Sequence, residues 1–599
     1  MLKLLRYLRY TWWQLLVSIM FVTLQSYFQL ELPKQMGLMT NMVINGAETS
    51  DVLLKGGYMG IVSIIVVICA VGGALLNSYI ASTFGKNVRA DIFKKVTTLS
   101  LTEYEKFGTA SLMTRTTNDV QQIQMALFMG IRIMIMSPII FTIAISNTLR
   151  SNAVLTLVFA AAIPLIVIVL LIPFVVAYPL FDKIQKKIDR ATLVLRENLT
   201  GIRVIRAFNQ QRSEARRYDV ANRDMTNITM KVGRTMSFIN PGINIIFNIT
   251  YLAIYFLGFA SLDGQLATDP TNFVNFGSIM ATAQYSINVM NSLVMFALIF
   301  ILLPRARASA NRINAVLDTN PTISDPAQPV TTTTGKGKIE FRNVTFQFKD
   351  ADSPTLQNIN FVSKPGQVTA IIGSTGSGKS SIINLIPRFY DVTEGQVLID
   401  DVDVRDFSQK DLREKIGFVP QQALLFSGSV ADNLRYGRQN ADEALMWEAL
   451  NVAQAAKFVG RKEEKLEFDV SQGGKNFSGG QKQRISIARA LIKKPEIYIF
   501  DDAFSALDFK TDIKLRQALK SYVKQATVII VAQRVSTIID SDNILVLHEG
   551  KIVAQGKHEA LLHKCKIYRE IVYSQLDPEE IDKTLALSQQ VLATNEGAD

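Results

Sequence analysis

The chain has 599 residues, of which 48% are hydrophobic and 19% charged, and 64 Lys and Arg against 52 Asp and Glu give a formal net charge of +12. The apolar content excludes an intrinsically disordered chain, and two cysteines exclude a small secreted fold held together by disulfides. Cys69 and Cys565 lie far apart and there are only three histidines, so no metal-site spacing is present.

The net positive charge is confined to the first half of the chain. Residues 1–330 hold 29 Lys and Arg against 17 Asp and Glu, whereas residues 331–599 hold 35 of each. A basic chain can bind nucleic acid, but here the excess lies in the half with the longest apolar runs. We therefore expect this half to have a lipid membrane as its partner, and no nucleic acid.

Six apolar runs in that half are each long enough to cross a bilayer, since about 20 helical residues span the hydrocarbon core. They are Trp12–Leu32, Tyr58–Ile80, Leu127–Leu149, Ala153–Tyr178, Ile243–Leu262 and Gly277–Leu303. Stretches such as 61–71 and 160–176 contain no charged residue, which argues against a large soluble helical core. The sequence therefore predicts an all-α membrane domain of six helices over residues 1–317.

The distribution of charge between the loops predicts the orientation of this domain. With the N-terminus inside, the external segments 33–57, 150–152 and 263–276, together with Glu31, carry three basic and five acidic residues. The remainder of the first half is then strongly basic, as cytoplasmic loops are. We expect a multi-pass protein of the cell membrane whose N-terminus and second half are cytoplasmic.

The internal loops are long, at 81–126 and 179–242, and have apolar residues at helical spacing among the charges. They predict helices that continue well beyond the membrane. Residues 1–20 resemble a signal peptide but lack a small-residue cleavage site, so we interpret them as an interfacial helix leading into the first span.

A linker rich in Pro and Thr, 318–338, precedes a segment that alternates short strands and helices, as α/β domains do. The predicted strands include Ile339–Phe348, Val368–Ile372, Tyr498–Phe500, Val528–Val531 and Ile544–His548. We assign residues 339–576 to this second domain and 577–599 to a polar tail.

A phosphate-binding loop follows one of these strands. The segment 373–380 matches G-x-x-x-x-G-K-[ST] between the strand Val368–Ile372 and the predicted helix Ser381–Ile386. The candidate ATP-binding residues are Gly373, Ser374, Thr375, Gly376, Ser377, Gly378, Lys379, Ser380 and Ser381. Lys379 is expected to reach the β- and γ-phosphates and Ser380 to bind Mg²⁺. Asp501 ends a later apolar strand, where its carboxylate can hold Mg²⁺ through water.

Between these two motifs, 476–484 reads Asn-Phe-Ser-Gly-Gly-Gln-Lys-Gln-Arg, which resembles the signature of ATP-binding cassette (ABC) proteins. Six spans before one α/β P-loop cassette are similar to a half-transporter of the exporter type. The resemblance implies that two cassettes pair head to tail, with Ser478, Gly479, Gly480 and Gln481 closing the partner's ATP site. It also implies that Phe348 stacks on adenine, that Gln421 is a catalytic residue and Mg²⁺ ligand of the Q-loop, and that 505–508 form the D-loop.

Two positions depart from the family pattern. Asp502 stands where the family has the Glu that activates water, and Gln533 replaces a His that contacts the γ-phosphate. A shorter carboxylate is displaced by about 1 Å, and Gln carries no positive charge. By resemblance, Asp502, Gln533 and Gln421 form a degenerate, slowly hydrolysing site. We expect the partner to be a non-identical half-transporter with Glu and His at these positions.

The resemblance also implies that short coupling helices near 103–110 and 207–213 dock on the cassettes. The aromatic residues of the last two spans, which suit a small hydrophobic or amphipathic substrate or simple helix packing, are Phe247, Tyr251, Tyr255, Phe256, Phe296 and Phe300. The leading hypothesis is a heterodimeric multidrug-type exporter. Two alternatives are a homodimeric lipid flippase and a regulatory ATP-binding membrane protein that transports nothing.

Overall fold

A computed structural model of the chain describes residues 2–151, 153–266, 276–331 and 335–575. The chain divides into two compact units. The first comprises Met1–Thr98 and Phe107–Thr319, and the second comprises Leu99–Lys106 and Asn320–Asp599. The predicted tail at 577–599 lies outside the described residues.

The described residues of the first unit are helical apart from short turns between the helices. It opens with a 3₁₀ helix at Leu2–Thr11, and Arg115–Asp119 form a π-helical turn. The α-helices from the N-terminus to Leu317 are α1 Trp12–Ile44, α2 Thr49–Thr98, α3 Leu101–Phe107, α4 Thr109–Thr114, α5 Val120–Ser151, α6 Ala153–Thr200, α7 Ile202–Ala207, α8 Gln211–Ser237, α9 Ile239–Leu266 and α10 Phe276–Leu317. Of these, α3 belongs to the second unit apart from its last residue, Phe107.

Within the described residues, six helical segments are long and apolar enough to cross a membrane. They are Lys3–Ile44, Thr49–Thr98, Thr109–Arg150, Leu155–Thr200, Gln211–Ala260 and Phe276–Leu317. At about 1.5 Å per residue, α2 is about 75 Å long, whereas the hydrocarbon core is about 30 Å thick. Both the six predicted spans and the predicted continuation of helices far beyond the bilayer thickness are therefore confirmed.

Small and polar residues allow these helices to approach one another. A Cβ atom on Gly37 would lie 2.3 Å from the carbonyl oxygen of Gly277, so α1 and α10 cross with their backbones in contact. Ser18 on α1 donates a buried 2.7 Å hydrogen bond to the side chain of Asn77 on α2. These two buried polar side chains therefore satisfy each other inside the bundle.

The long helices break where the backbone turns left-handed. Gly108 (φ +73°) separates α3 from α4, and Asn209 (φ +54°) lies in the turn between α7 and α8. The expected short helix over 207–213 is therefore wrong, because that segment is the end of α7, a turn and the start of α8. The prediction of an interfacial helix at the N-terminus is also modified. The segment before α1 is a 3₁₀ helix, and its Leu4 and Tyr7 are buried in a hydrophobic cluster that includes Phe84.

The second unit is an α/β domain with three sheets. Its strands are β1 Ile339–Phe346, β2 Leu356–Ser363, β3 Val368–Gly373, β4 Glu394–Ile399, β5 Val402–Asp403, β6 Ile416–Val419, β7 Gly428–Ser429, β8 Asp469–Val470, β9 Ile497–Asp501, β10 Thr527–Val531, β11 Asn543–His548 and β12 Lys551–Gly556. Its helices are α11 Lys379–Leu385, α12 Gln409–Glu414, α13 Val430–Arg435, α14 Glu443–Val452, α15 Ala456–Val459, α16 Gly479–Leu491, α17 Phe509–Tyr522, α18 Val535–Ile538, α19 His558–Lys564 and α20 Lys566–Tyr573.

The largest sheet has the order β12-β11-β3-β10-β9-β6 and is parallel except for β12. Its central strands β3, β9 and β10 are buried along most of their length because the sheet is covered on both faces there, whereas the residues of the edge strand β12 are exposed or half-buried. Alternate residues of β3 accordingly enter different hydrophobic clusters, with Ala370 and Ile372 in one and Ile371 in the other. The smaller sheets are the antiparallel β2-β1-β4-β5 and the pair β7-β8.

Candidate nucleotide site

The carboxyl ends of β3, β10, β9 and β6 lie side by side, and the sheet order therefore brings four separate sequence motifs to one edge. A cavity of about 310 Å³ lies at this edge. It is lined by Thr355, Thr375, Gly376, Gly378, Lys379, Ser380, Ser381, Gln421, Asp501, Asp502, Val531 and Gln533. The structure thus brings together most of the predicted site residues of the P-loop, the Q-loop, the end of β9 and the segment after β10.

The P-loop turns through two residues that only glycine adopts readily. Gly376 has φ +82° and Gly378 has φ +98°, and a Cβ atom on Gly378 would lie 2.6 Å from a Leu356 methyl carbon. Lys379 folds back over the loop and its Nζ donates to the carbonyl oxygens of Gly373 and Ser374 at 2.8 and 2.7 Å. Burial lowers the pKa of Lys379, although Asp502 and Asp501 oppose this effect.

The two carboxylates at the end of β9 face the P-loop lysine. Burial, reinforced by the charge of Asp502, raises the pKa of Asp501 to about 6. Burial also raises the pKa of Asp502, which is only 8% exposed and has a left-handed backbone with φ +45°. An oxygen-rich, buried pair of this kind is a suitable environment for a hard cation such as Mg²⁺.

Both glutamines of the cavity point at the same carboxylate oxygen. Gln533 Nε2 donates to Asp502 Oδ2 at 3.0 Å, and Gln421 Nε2 donates to that atom at 3.4 Å. The parallel register pairs Val531 with Asp501, and the Asp502 N–H then donates to the Val531 carbonyl at 2.9 Å. The two positions that depart from the family pattern are therefore in direct contact.

The signature segment forms the N-terminus of α16 and does not line this cavity. Ser478 and Gln481 form a capping box, in which the Gln481 N–H donates to Ser478 Oγ and the Ser478 N–H donates to Gln481 Oε1. Around Gly479 there is open space, whereas a Cβ atom on Gly480 would lie 3.0 Å from the Ala506 carbonyl oxygen of the D-loop. Sequence reasoning missed this packing role of Gly480.

Phe348 lies two residues beyond β1, so the observed strand ends earlier than the predicted strand Ile339–Phe348. Its ring is 37% exposed and makes an edge contact with Tyr390, with centroids 5.4 Å apart. The Tyr390 hydroxyl donates to the Glu105 carboxylate at 3.0 Å. Burial, together with this hydrogen bond, raises the pKa of Tyr390. Only the structure links Tyr390 and Glu105, because 285 residues separate them.

The aromatic residues proposed for a substrate pocket do not form one cluster in the part of the chain that is described. Tyr251 and Tyr255 contact each other, with hydroxyl oxygens 3.3 Å apart. Phe256 is 75% exposed, and Phe247 packs on the cluster around Ile246. The side chain of Phe300 lies outside the described residues.

The cavity fits ATP and Mg²⁺ by its chemistry. It combines glycines with left-handed backbone, a lysine, two hydroxyl residues at the start of α11 and two buried carboxylates. The Ser377 hydroxyl is buried without a hydrogen-bond partner. Such a set provides donors for phosphate oxygens and acceptors for a cation.

Comparison with known proteins identifies the family. Residues 15–293 match the model of the ABC transporter transmembrane region, and residues 356–505 match the ABC transporter model. The chain therefore belongs to the ABC transporter family and is a half-transporter of the exporter type. This makes it an ATP-binding, multi-pass membrane subunit of an ATP-driven transporter.

Individual relatives agree with this assignment. An uncharacterized ABC transporter ATP-binding protein of Mycobacterium tuberculosis is 38% identical over 533 residues, which cover 88% of this chain and 90% of the relative. The ATP-dependent lipid A-core flippase of Syntrophus aciditrophicus is 31% identical over 88% of this chain and 85% of its own. The solved structure of a bacterial Atm1-family ABC exporter with ATP bound shares the fold, with a TM-score of 0.78 and 24% identity over 95% of this chain and 99% of that one.

Proposed function

We propose that this chain is one subunit of a heterodimeric exporter that moves hydrophobic or amphipathic compounds out of the cell. In this proposal its own ATP site is degenerate and hydrolyses slowly. Its intact signature completes the site of a non-identical partner, which has Glu and His where this chain has Asp502 and Gln533. Hydrolysis then occurs mainly at the partner's site.

The contact between Asp502 and Gln533 is the observation that supports this proposal most directly. The carboxylate that would activate water is short, buried and hydrogen-bonded to two amides. An amide donor stabilises the charged carboxylate but cannot itself take part in proton transfer. The pair is suited to holding ATP rather than to rapid hydrolysis.

The remaining site residues have binding roles in the proposal. The P-loop residues 373–381 hold the phosphates, with Lys379 at the β- and γ-positions. Ser380, Asp501 and Gln421 hold Mg²⁺, which neutralises phosphate charge when it is bound. Phe348 contacts the adenine, and Ser478 to Gln481 contact the nucleotide of the partner subunit.

The same proposal covers topology and coupling. The basic loops of the first half favour a cytoplasmic N-terminus and cassette in the cell membrane. The segment Leu99–Lys106 belongs to the same compact unit as the cassette, where Leu101 packs against its hydrophobic core. This supports a coupling role for α3.

A homodimeric lipid flippase is the second candidate, because a lipid A-core flippase is among the relatives. The paired changes at Asp502 and Gln533 argue against it, since both sites of a homodimer would then be degenerate. ATP turnover distinguishes the two candidates.

The test is the steady-state ATPase activity of the purified chain in lipid nanodiscs, alone and after co-purification with a half-transporter that has Glu and His at the matching positions. We expect slow turnover by the chain alone and rapid turnover by the pair. Rapid turnover by the chain alone, abolished by Asp502→Asn, would refute the heterodimer. Dye efflux into inside-out vesicles by the pair then tests the substrate class.

A further inference from the structure

The end of the cassette contacts the loop that carries Gln533. Gln575 follows α20, and its side-chain amide makes two hydrogen bonds to this loop. The Val535 N–H donates to Gln575 Oε1 at 2.8 Å, and Gln575 Nε2 donates to the Gln533 carbonyl at 2.8 Å. One side chain therefore bridges the residue before and the residue after Arg534.

Two further hydrogen bonds restrain the middle of the loop, since Arg534 Nη2 donates to the Ser505 carbonyl at 3.4 Å and the Thr537 N–H donates to the Arg534 carbonyl at 3.2 Å. The Ala532 N–H, directly after β10, donates to the Ile371 carbonyl of β3. The helix α18 that follows has only four residues, and Arg534 before it provides no side-chain cap. Gln575 thus accepts from the Val535 N–H, which is one of the first-turn N–H groups that have no partner within the helix.

Gln575 itself is held in place by a firmly packed helix. Tyr568 and Val572 of α20 are buried in the same hydrophobic cluster as Val535. The Tyr568 hydroxyl lies 2.7 Å from the Nδ1 atom of His558 on α19. The Gln575 N–H also donates to the Val572 carbonyl at 3.0 Å.

Gln533 is consequently held at two points, at its side chain by Asp502 and at its carbonyl by Gln575. We propose that Gln575 is a positioning residue of the ATP site, which holds the loop so that Gln533 faces the bound nucleotide. This rests on the proposed placement of Gln533 at the γ-phosphate. Loss of the two hydrogen bonds should let the loop move and the nucleotide leave sooner.

The test compares Gln575→Ala and Gln575→Glu with Gln525→Ala, a control at an exposed glutamine of the same domain, all in the full chain in lipid nanodiscs. Dissociation of MANT-ATP is followed by fluorescence, and amide hydrogen exchange is measured over 532–539. For Gln575→Ala we expect about 10-fold faster dissociation, equivalent to about 1.4 kcal/mol, which is the scale of one or two neutral hydrogen bonds. Exchange at Val535 should also accelerate.

Gln575→Glu retains the acceptor for the Val535 N–H but has no donor for the Gln533 carbonyl. Val535 should stay protected in this variant, with dissociation between that of the wild type and of Gln575→Ala. Unchanged exchange at Val535 in Gln575→Ala would overturn the contact, and faster exchange with unchanged dissociation would overturn the positioning role. A wild-type chain that fails to bind MANT-ATP would instead refute the proposed ATP site, while the exchange data would still report on the contact.

Discussion

Replacing Asp502 by Glu is the most direct perturbation of the proposed degenerate site. The added methylene advances the carboxylate by about 1 Å, and misplacements of that size can change a rate by about 10²-fold. A gain of that size corresponds to about 2.7 kcal/mol of activation free energy. The Gln533 side chain must also move to make room for the longer side chain, because its Nε2 atom lies 3.0 Å from the Asp502 carboxylate oxygen.

We therefore expect Asp502→Glu to accelerate hydrolysis, and the double variant with Gln533→His to accelerate it by up to about 10²-fold. Because the two side chains are in contact, their effects should not be additive. The left-handed backbone at Asp502 suits Asp better than Glu, so we expect a stability loss of about 1 kcal/mol.

The assay is phosphate release by the chain alone in nanodiscs at saturating MgATP, with Asp540→Glu as the control for the same change at an exposed acid of the cassette. MANT-ATP binding measured in parallel shows that each variant retains nucleotide. Variants that bind ATP normally yet hydrolyse it no faster than the wild type would refute the reasoning that Asp502 and Gln533 limit turnover.

Two further predictions concern the proposed coupling segments. Tyr390→Phe removes the hydrogen bond to Glu105 but keeps the ring beside Phe348, so we expect normal ATP binding. The free energy of unfolding should fall by about 1 kcal/mol, which lowers the thermal unfolding transition of the cassette by about 2–4 °C. Weakened MANT-ATP binding would contradict this prediction. Phe208→Ala truncates a side chain that is 71% exposed, so we expect stability within about 0.5 kcal/mol of the wild type, with ATP turnover by the pair retained and dye efflux lost. Unchanged efflux would exclude Phe208 from coupling.

Local patterns in the sequence predict the elements of this protein well. The six spans can be recognised in the sequence because a helix surrounded by lipid needs a long run without charges, and this requirement does not depend on which other helices it packs against. The P-loop is evident because its glycines, Lys379 and Ser380 are contiguous. Errors arise at helix breaks such as Asn209, where a single left-handed residue ends a pattern that otherwise continues.

By itself, then, the sequence determined the two domains' fold classes, the identity of the phosphate loop and the two departures from the family pattern. Only the tertiary structure decided which distant residues meet. The strand order puts Gln533 against Asp502, and the packing of α20 carries Gln575 to the loop between β10 and α18. Such contacts depend on strand order and helix docking across long sequence separations, and periodicity within one segment contains no information about either.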